Sequence, residues 1–242
     1  MSFWDSIRSP FGAFLSQIKN KKSLIKEFTR DIFIPITVGG GLKTIQDISN
    51  VLKSGADKIF INTEALKNIK FIETAIKEFG SSTIVICIET AKIDDEFYPF
   101  IDNARDMVNK TTNDWILEVQ DIGIGEILLS SIDTDGTGFG FDKKLLDKCI
   151  PLTKVPLIIH GGAGKIEDII KIINDYDVDG IAVSSLLHYS CLKNLSFEKN
   201  KSNLGNTDFL DKNKNFSKFE ELNLFSFKKI ILENIKNKSI RI

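Results

Sequence analysis

A surplus of charge of either sign is absent from this sequence: 32 Lys+Arg stand against 33 Asp+Glu in 242 residues, a formal net charge of −1. That balance argues against bulk electrostatic attraction to nucleic acid or acidic membranes and leaves only local patches. Long apolar runs are missing too, since none approaches the ~18 residues of a membrane-spanning helix. The N-terminal stretch MSFWDSIRSPFGAFLSQIKNKK lacks the basic-then-apolar layout of a signal peptide. Cysteine is scarce: Cys87, Cys149 and Cys191 share no metal-ligand spacing and read as reduced thiols. His160 and His188 are too far apart in sequence to mark a metal pair, so neither a metal nor a cofactor is expected. What remains is a cytoplasmic globular chain. With 42% hydrophobic and 27% charged residues it can bury a core.

Short β-rich runs are plentiful. They begin at Pro35, Lys58, Thr83, Glu126, Pro156 and Gly180, and each is nearly continuous in apolar residues. Such runs suit parallel strands covered on both faces. Helical patterns lie between most of them, with Ile45, Ile48, Val51 and Leu52 on one face and Ile166, Ile169, Ile170 and Ile173 on another. The alternation predicts an α/β fold of βα units. An internal repeat sharpens this. PITVGGGLKTIQDI from Pro35 overlays PLIIHGGAGKIEDI from Pro156 at an offset of 121, and DKIFINT from Asp57 then overlays DGIAVSS from Asp179. A period near 120 points to two half-barrels of four βα units each, rather than to a solenoid. The expected fold is therefore a (β/α)8 barrel of which about six parallel strands are recognisable. Residues 1–193 form the barrel domain without its usual first two strands; residues 194–242 form a divergent loop and a C-terminal helix, Phe225 to Ile235, packing on the barrel.

In a parallel barrel, chemistry gathers at the loops that follow the strands. Gly39-Gly40-Gly41 and Gly161-Gly162-Ala163-Gly164 each follow a strand and precede a helix. Glycine lets backbone N–H groups approach a ligand, and a helix N-terminus favours an anion. Asn62-Thr63 and Ser184-Ser185 end the neighbouring strands with polar side chains. Each module reads as one phosphate site, fitting an elongated substrate with a phosphate at each end; the plainer reading is that the glycines serve only tight turns. A further cluster runs from Ser130 through Asp133, Asp135 and Gly136 to Asp142, after the Glu126 strand. Its aspartates suit substrate hydroxyls; as a calcium loop it lacks the downstream glutamate. Glu89 ends an apolar strand at the same mouth and is the candidate acid/base. His160 sits just before the second glycine turn, where it can face a ligand, whereas His188 is placed near a helix start. Lys58 and Glu126 begin their strands and belong to the opposite face of the barrel.

The stretches PITVGGGLKTIQD, SGADKIFINTEAL, GEILLSSIDTDGTGFGFD, HGGAGKIED and SSLLH, together with the ending KSIRI, resemble the cyclase subunit of imidazole glycerol phosphate synthase, a (β/α)8 barrel. The resemblance implies cyclisation of a bis-phosphorylated ribulosyl-formimino intermediate by ammonia delivered through the barrel from a glutaminase partner. The products are imidazole glycerol phosphate and an aminoimidazole carboxamide ribonucleotide. It places Gly40, Gly41, Asn62 and Thr63 at one phosphate, and Ser130, Asp135, Gly136, Gly161, Gly162, Ser184 and Ser185 at or around the other. Lys58 and Glu126 match charges at the ammonia entrance on the partner face. It implies neither nucleic acid nor membrane as a partner.

Two departures stand out. The family's first strand carries a catalytic aspartate in a C-L-D-V-K-D-G-like motif, and no such motif occurs here. Its second catalytic aspartate is replaced by Glu89, whose carboxylate lies one methylene further out, and a displacement of ~1 Å can cost roughly a hundredfold in rate. Two other readings therefore stand beside the histidine-pathway cyclase. One is a paralogous ammonia-using subunit for sugar amidination in surface-polysaccharide synthesis; the other is a non-catalytic phosphate-binding scaffold.

Overall fold

The computed structural model describes residues 25–27, 29–30, 34–194, 219–220 and 224–234. Six parallel strands come in the order the repeat predicts: β1 (Thr37–Gly39), β2 (Lys58–Ile61), β3 (Ile84–Ile93), β6 (Glu126–Ser131), β7 (Leu157–His160) and β8 (Gly180–Ala182). Each pairs with the next in that order. Two short strands, β4 (Glu96–Ile101) and β5 (Asp106–Met107), hang off β3 as an antiparallel extension. The helices are α1 (Ile45–Leu52), α2 (Thr63–Lys67), α3 (Ile69–Phe79), α4 (Thr112–Asp121), α5 (Lys143–Cys149), α6 (Ile166–Asp175), α7 (Ser185–Asn194) and α8 (Leu224–Asn234). The result is an incomplete (β/α) barrel of six parallel strands among the described residues.

Side-chain alternation sorts each strand into two faces. Ile84, Ile86 and Ile88 of β3 are fully buried with Ile72 of α3 and with Trp115 and Ile116 of α4. Val85, Cys87 and Glu89 alternate with them and face the opposite side. The same division puts Ile59, Ile61, Ile127, Leu129, Leu157 and Ile159 under the helices. The other face carries Lys58, Phe60, Glu126, Leu128, Ser130, Ile158 and His160. A second cluster joins Ile166, Ile169 and Ile173 of α6 with Leu186 of α7, Phe219 and Ile231 of α8.

The repeat extends to hydrogen bonds. Asp57 accepts from the Ile36 N–H at 2.7 Å, and Asp179 accepts from the Leu157 N–H at 2.8 Å. Each aspartate thereby fastens the start of the strand preceding its own. At the helix starts, Asp47 accepts from the N–H groups of Lys43 and Thr44, and Asp168 from those of Gly164 and Lys165. Reciprocal capping of this kind fixes where a helix begins.

Two expected boundaries move. β3 does not end at Glu89: it runs on to Ile93, because Thr90 to Ile93 pair antiparallel with β4. Ser130 and Ser131 do not follow β6 but belong to it, pairing with Glu89 and Thr90. The insert near residues 91–112 is the β4–β5 extension. The C-terminal helix starts one residue earlier than expected, at Leu224, and is described as far as Asn234, with Phe227 and Ile230 packed against the second cluster. Ile235, residues 195–217 and residues 1–24 lie outside the described residues.

Candidate functional site

Along the face away from the helices, apolar positions give way to polar ones near the strand ends. Register aligns Glu89 of β3 with Ser130 of β6, and Ser130 with His160 of β7. Three polar side chains therefore stand in one row on three adjacent strands. Ser130 Oγ and His160 Nδ1 are 2.9 Å apart, and either can donate. Asp135, in the loop after β6, brings Oδ1 to 3.9 Å from His160 Nε2. On the other side of Glu89, Asn62 Nδ2 donates to Glu89 Oε2 at 2.8 Å and to the Phe100 carbonyl at 3.1 Å. Burial pushes the Glu89 carboxyl above the ordinary carboxylate range; the Asn62 hydrogen bond pulls it back, and the negative charge of Asp135 adds a smaller upward push. A carboxyl moved toward neutrality is better suited to exchange protons than an exposed one.

Glu89 lies symmetrically with respect to the two glycine-rich turns. The first follows β1 and the second follows β7, and each of these strands is two places from β3 in the sheet. Gly40 and Gly41 have φ of +87° and +70°, and Gly161 and Gly162 have φ of +99° and +110°. At the second turn close packing also demands glycine. A Cβ on Gly162 would stand 2.1 Å from the Gly140 carbonyl oxygen, and one on Gly161 would stand 2.8 Å from that of Ser131. Gly162 is thus required by the turn itself, whatever it binds.

The second module gathers its expected residues: Asp135, Gly136, His160, Gly161, Gly162, Ser184 and Ser185 line one cleft. Ser130 stands behind it, 8% exposed, against His160. In the first module the polar side chains are engaged elsewhere. Both Asn62 amide protons go to Glu89 and Phe100, its Oδ1 is buried without a partner, and Thr63 Oγ1 accepts from the Asp102 N–H at 3.0 Å. A phosphate there would meet backbone N–H groups rather than these side chains. The first turns of α1 and α6 also differ from the bare anion sites that the sequence implies. Asp47 and Asp168 cap them, and at α6 Glu220 also accepts from the Ile166 N–H at 3.0 Å. The chain supplies its own carboxylates at these helix starts.

Elsewhere the placements divide. Lys58 and Glu126 form an ion pair across β3 at the strand starts, with side chains 35% and 10% exposed. Asp133 does not face the cleft: it accepts from the Lys92 N–H at 2.7 Å and ties the loop to β3. Asp142 accepts from the Leu145 N–H and caps α5. His188 sits in the first turn of α7 and is exposed. Cys87 and Cys149 are buried free thiols; desolvation pushes the first up strongly and the second to about 12. No group of three or more metal-ligating side chains occurs among the described residues. No described helix is long and apolar enough to cross a membrane.

Sequence reasoning missed the Asn62–Glu89 hydrogen bond and the Glu220 contact. The first has a signal in hindsight, since Asn62 follows Lys58 and Phe60, and Glu89 follows Val85 and Cys87, on the same face of neighbouring strands. The second has none, because 54 residues separate Glu220 from Ile166.

Residues 12–193 match the family described as histidine biosynthesis protein. Among curated proteins, the imidazole glycerol phosphate synthase subunit HisF of Natranaerobius thermophilus is 37% identical over 166 residues, covering 69% of this chain and 66% of that protein. The subunit of the same name from Dictyoglomus thermophilum is 38% identical over 167 residues, with coverages of 69% and 66%. That of Metallosphaera sedula is 34% identical over 174 residues, with coverages of 71% and 69%. The chain spans about two thirds of the length of the curated relatives it matches.

Proposed function

Since this chain belongs to the histidine biosynthesis protein family, we propose that it acts as the cyclase-type subunit of an imidazole glycerol phosphate synthase. In this reading a bis-phosphorylated ribulosyl-formimino intermediate lies across the strand ends. Ammonia from a glutaminase partner converts it to imidazole glycerol phosphate and an aminoimidazole carboxamide ribonucleotide. The observation that carries the reading is the position of Glu89, on the strand midway between two matching glycine-rich turns. A substrate with a phosphate at each end would hold its reacting centre over that carboxyl.

The roles follow from the chemistry of each group. Backbone N–H groups of Gly40 and Gly41 receive one phosphate. Those of Gly161 and Gly162, with the hydroxyls of Ser184 and Ser185, receive the other. Glu89, buried and oriented by Asn62, accepts a proton as the attacking amine loses one and returns a proton to the oxygen that leaves as water. Asp135 orients the substrate near the second phosphate. Partner docking belongs to the strand-start side, where the Lys58–Glu126 pair marks the ammonia entrance.

The test is turnover. Purified protein with ammonium and the bis-phosphorylated intermediate should consume the intermediate, followed by its absorbance. Glu89→Gln should reduce the rate at least a hundredfold. Binding of the intermediate without turnover by the unmodified protein would overturn the catalytic reading.

A further inference from the structure

The cleft formed by Asp135, His160, Gly161, Gly162, Ser184 and Ser185 is notable for its charges. Among the described residues its lining contains neither lysine nor arginine. A phosphate entering it meets backbone dipoles, two hydroxyls, one carboxyl group and one imidazole. The carboxyl group of Asp135 opposes a dianion; Glu89 stands next in the row beyond Ser130, and Asp168 and Glu220 hold further carboxylates at the start of α6, directly after the glycine turn. Among the described residues, His160 is the one lining side chain that can gain positive charge. Its ring is held for the task. Ser130 Oγ lies 2.9 Å from Nδ1 and can donate to the neutral ring or accept from the protonated one. Nε2 is directed to the same space as Asp135.

We propose that phosphate binding in this cleft is coupled to protonation of His160, whose imidazolium donates Nε2–H to the phosphate while Ser130 accepts from Nδ1–H. The proton comes from solvent, and no covalent bond is made or broken. The added positive charge offsets Asp135, so the cleft admits a dianion only as it takes up a proton. Affinity then declines as pH rises and the imidazolium is lost. This rests on the two-phosphate reading above and assigns its second site a proton-linked ligand.

Inorganic phosphate is the probe, titrated by calorimetry into the full chain and into His160→Asn between pH 6 and pH 8, in buffers of different ionisation enthalpy. The ionisation of phosphate itself is common to both proteins and cancels in their ratio. The unmodified protein should take up more protons per phosphate than the variant. The affinity ratio of unmodified protein to variant should fall about tenfold from pH 6 to pH 8. A ratio that does not change with pH, or equal proton uptake, overturns the inference. If His160→Asn does not fold, Asp135→Asn serves instead: binding should tighten at pH 8 more than at pH 6, and an unchanged pH dependence overturns the inference. Ser185→Asp, which adds a negative charge to the cleft at a helix start that tolerates one, separates the two levels. Phosphate binding indifferent to it shows that the anion lies elsewhere and removes the underlying site reading as well.

Discussion

Replacing Gly162 by alanine should damage the second glycine turn far more than its backbone angle alone requires. Its φ of +110° costs an alanine about 1–2 kcal/mol by sterics within the residue. Gly123, with φ of +80° and nothing within 4 Å of an added Cβ, isolates that cost in a control variant. At Gly162 the new Cβ would also stand 2.1 Å from the Gly140 carbonyl oxygen, where real Cβ atoms essentially never approach within 3.0 Å. The neighbouring loop must therefore retreat by about 0.9 Å. That movement breaks the hydrogen bond from the Gly140 N–H to the Gly162 carbonyl, now 2.8 Å long and worth about 1 kcal/mol. Overpacking adds about 1–2 kcal/mol more. Gly162→Ala should then be roughly 2–3 kcal/mol less stable than Gly123→Ala in urea unfolding, with unchanged m-values. Because the same loop carries Asp135, phosphate affinity should fall as well. Equal destabilisation by the two substitutions, within about 0.5 kcal/mol, would refute the claim that packing dictates glycine at this turn.

Three further expectations concern charge. Glu89 titrates above its unfolded value, so the folded state binds the extra proton and loses stability as pH rises from the unfolded value through the folded one. Glu89→Gln should accordingly gain stability relative to the unmodified protein at neutral pH and lose that advantage below about pH 4; a pH-independent difference in urea midpoints would contradict this. Lys58→Ala leaves Glu126, with a side chain 10% exposed, without its cation. It should cost roughly 1–3 kcal/mol, and Lys58→Ala combined with Glu126→Gln should cost less than the sum, which a double-mutant cycle measures. Asp57→Ala and Asp179→Ala each leave a strand-start N–H without its acceptor. Each should cost about 1–2 kcal/mol, and the pair should add within about 0.5 kcal/mol; strong non-additivity in thermal melts would deny that they are independent fasteners.

Much of this architecture can be read from the sequence because its determinants are local or repeated. Near-continuous Ile and Leu runs mark the parallel strands, and the offset between Pro35 and Pro156 marks the two modules. Glu89, Ser130 and Asp135 are recognisable as residues placed after or within those strands. What escapes is set by register and by distant chain. β3 passes Glu89 because β4 offers Thr90 to Ile93 an antiparallel partner, and nothing in TAKI itself announces that. Asp133 looks like a ligand beside Asp135, yet it serves the Lys92 amide, since a tight loop does not keep the side chains of i and i+2 on one side as a strand does. Asn62 looks like a phosphate donor until Phe100, 38 residues away, claims one of its amide protons.

The paired aspartates of the two modules carry a kinetic consequence. Asp57 closes a span of 21 residues and Asp179 one of 22, while Asp47 and Asp168 close spans of three to four. Every lock within a module is thus made at short sequence separation, although the sheet as a whole joins strands far apart in the chain. Contacts of low order form before those that must close long loops. Each module can therefore serve as its own nucleus, and pulse-labelled amides of β1–α1–β2 and β7–α6–β8 should gain protection together, ahead of the β3–β6 junction that unites them.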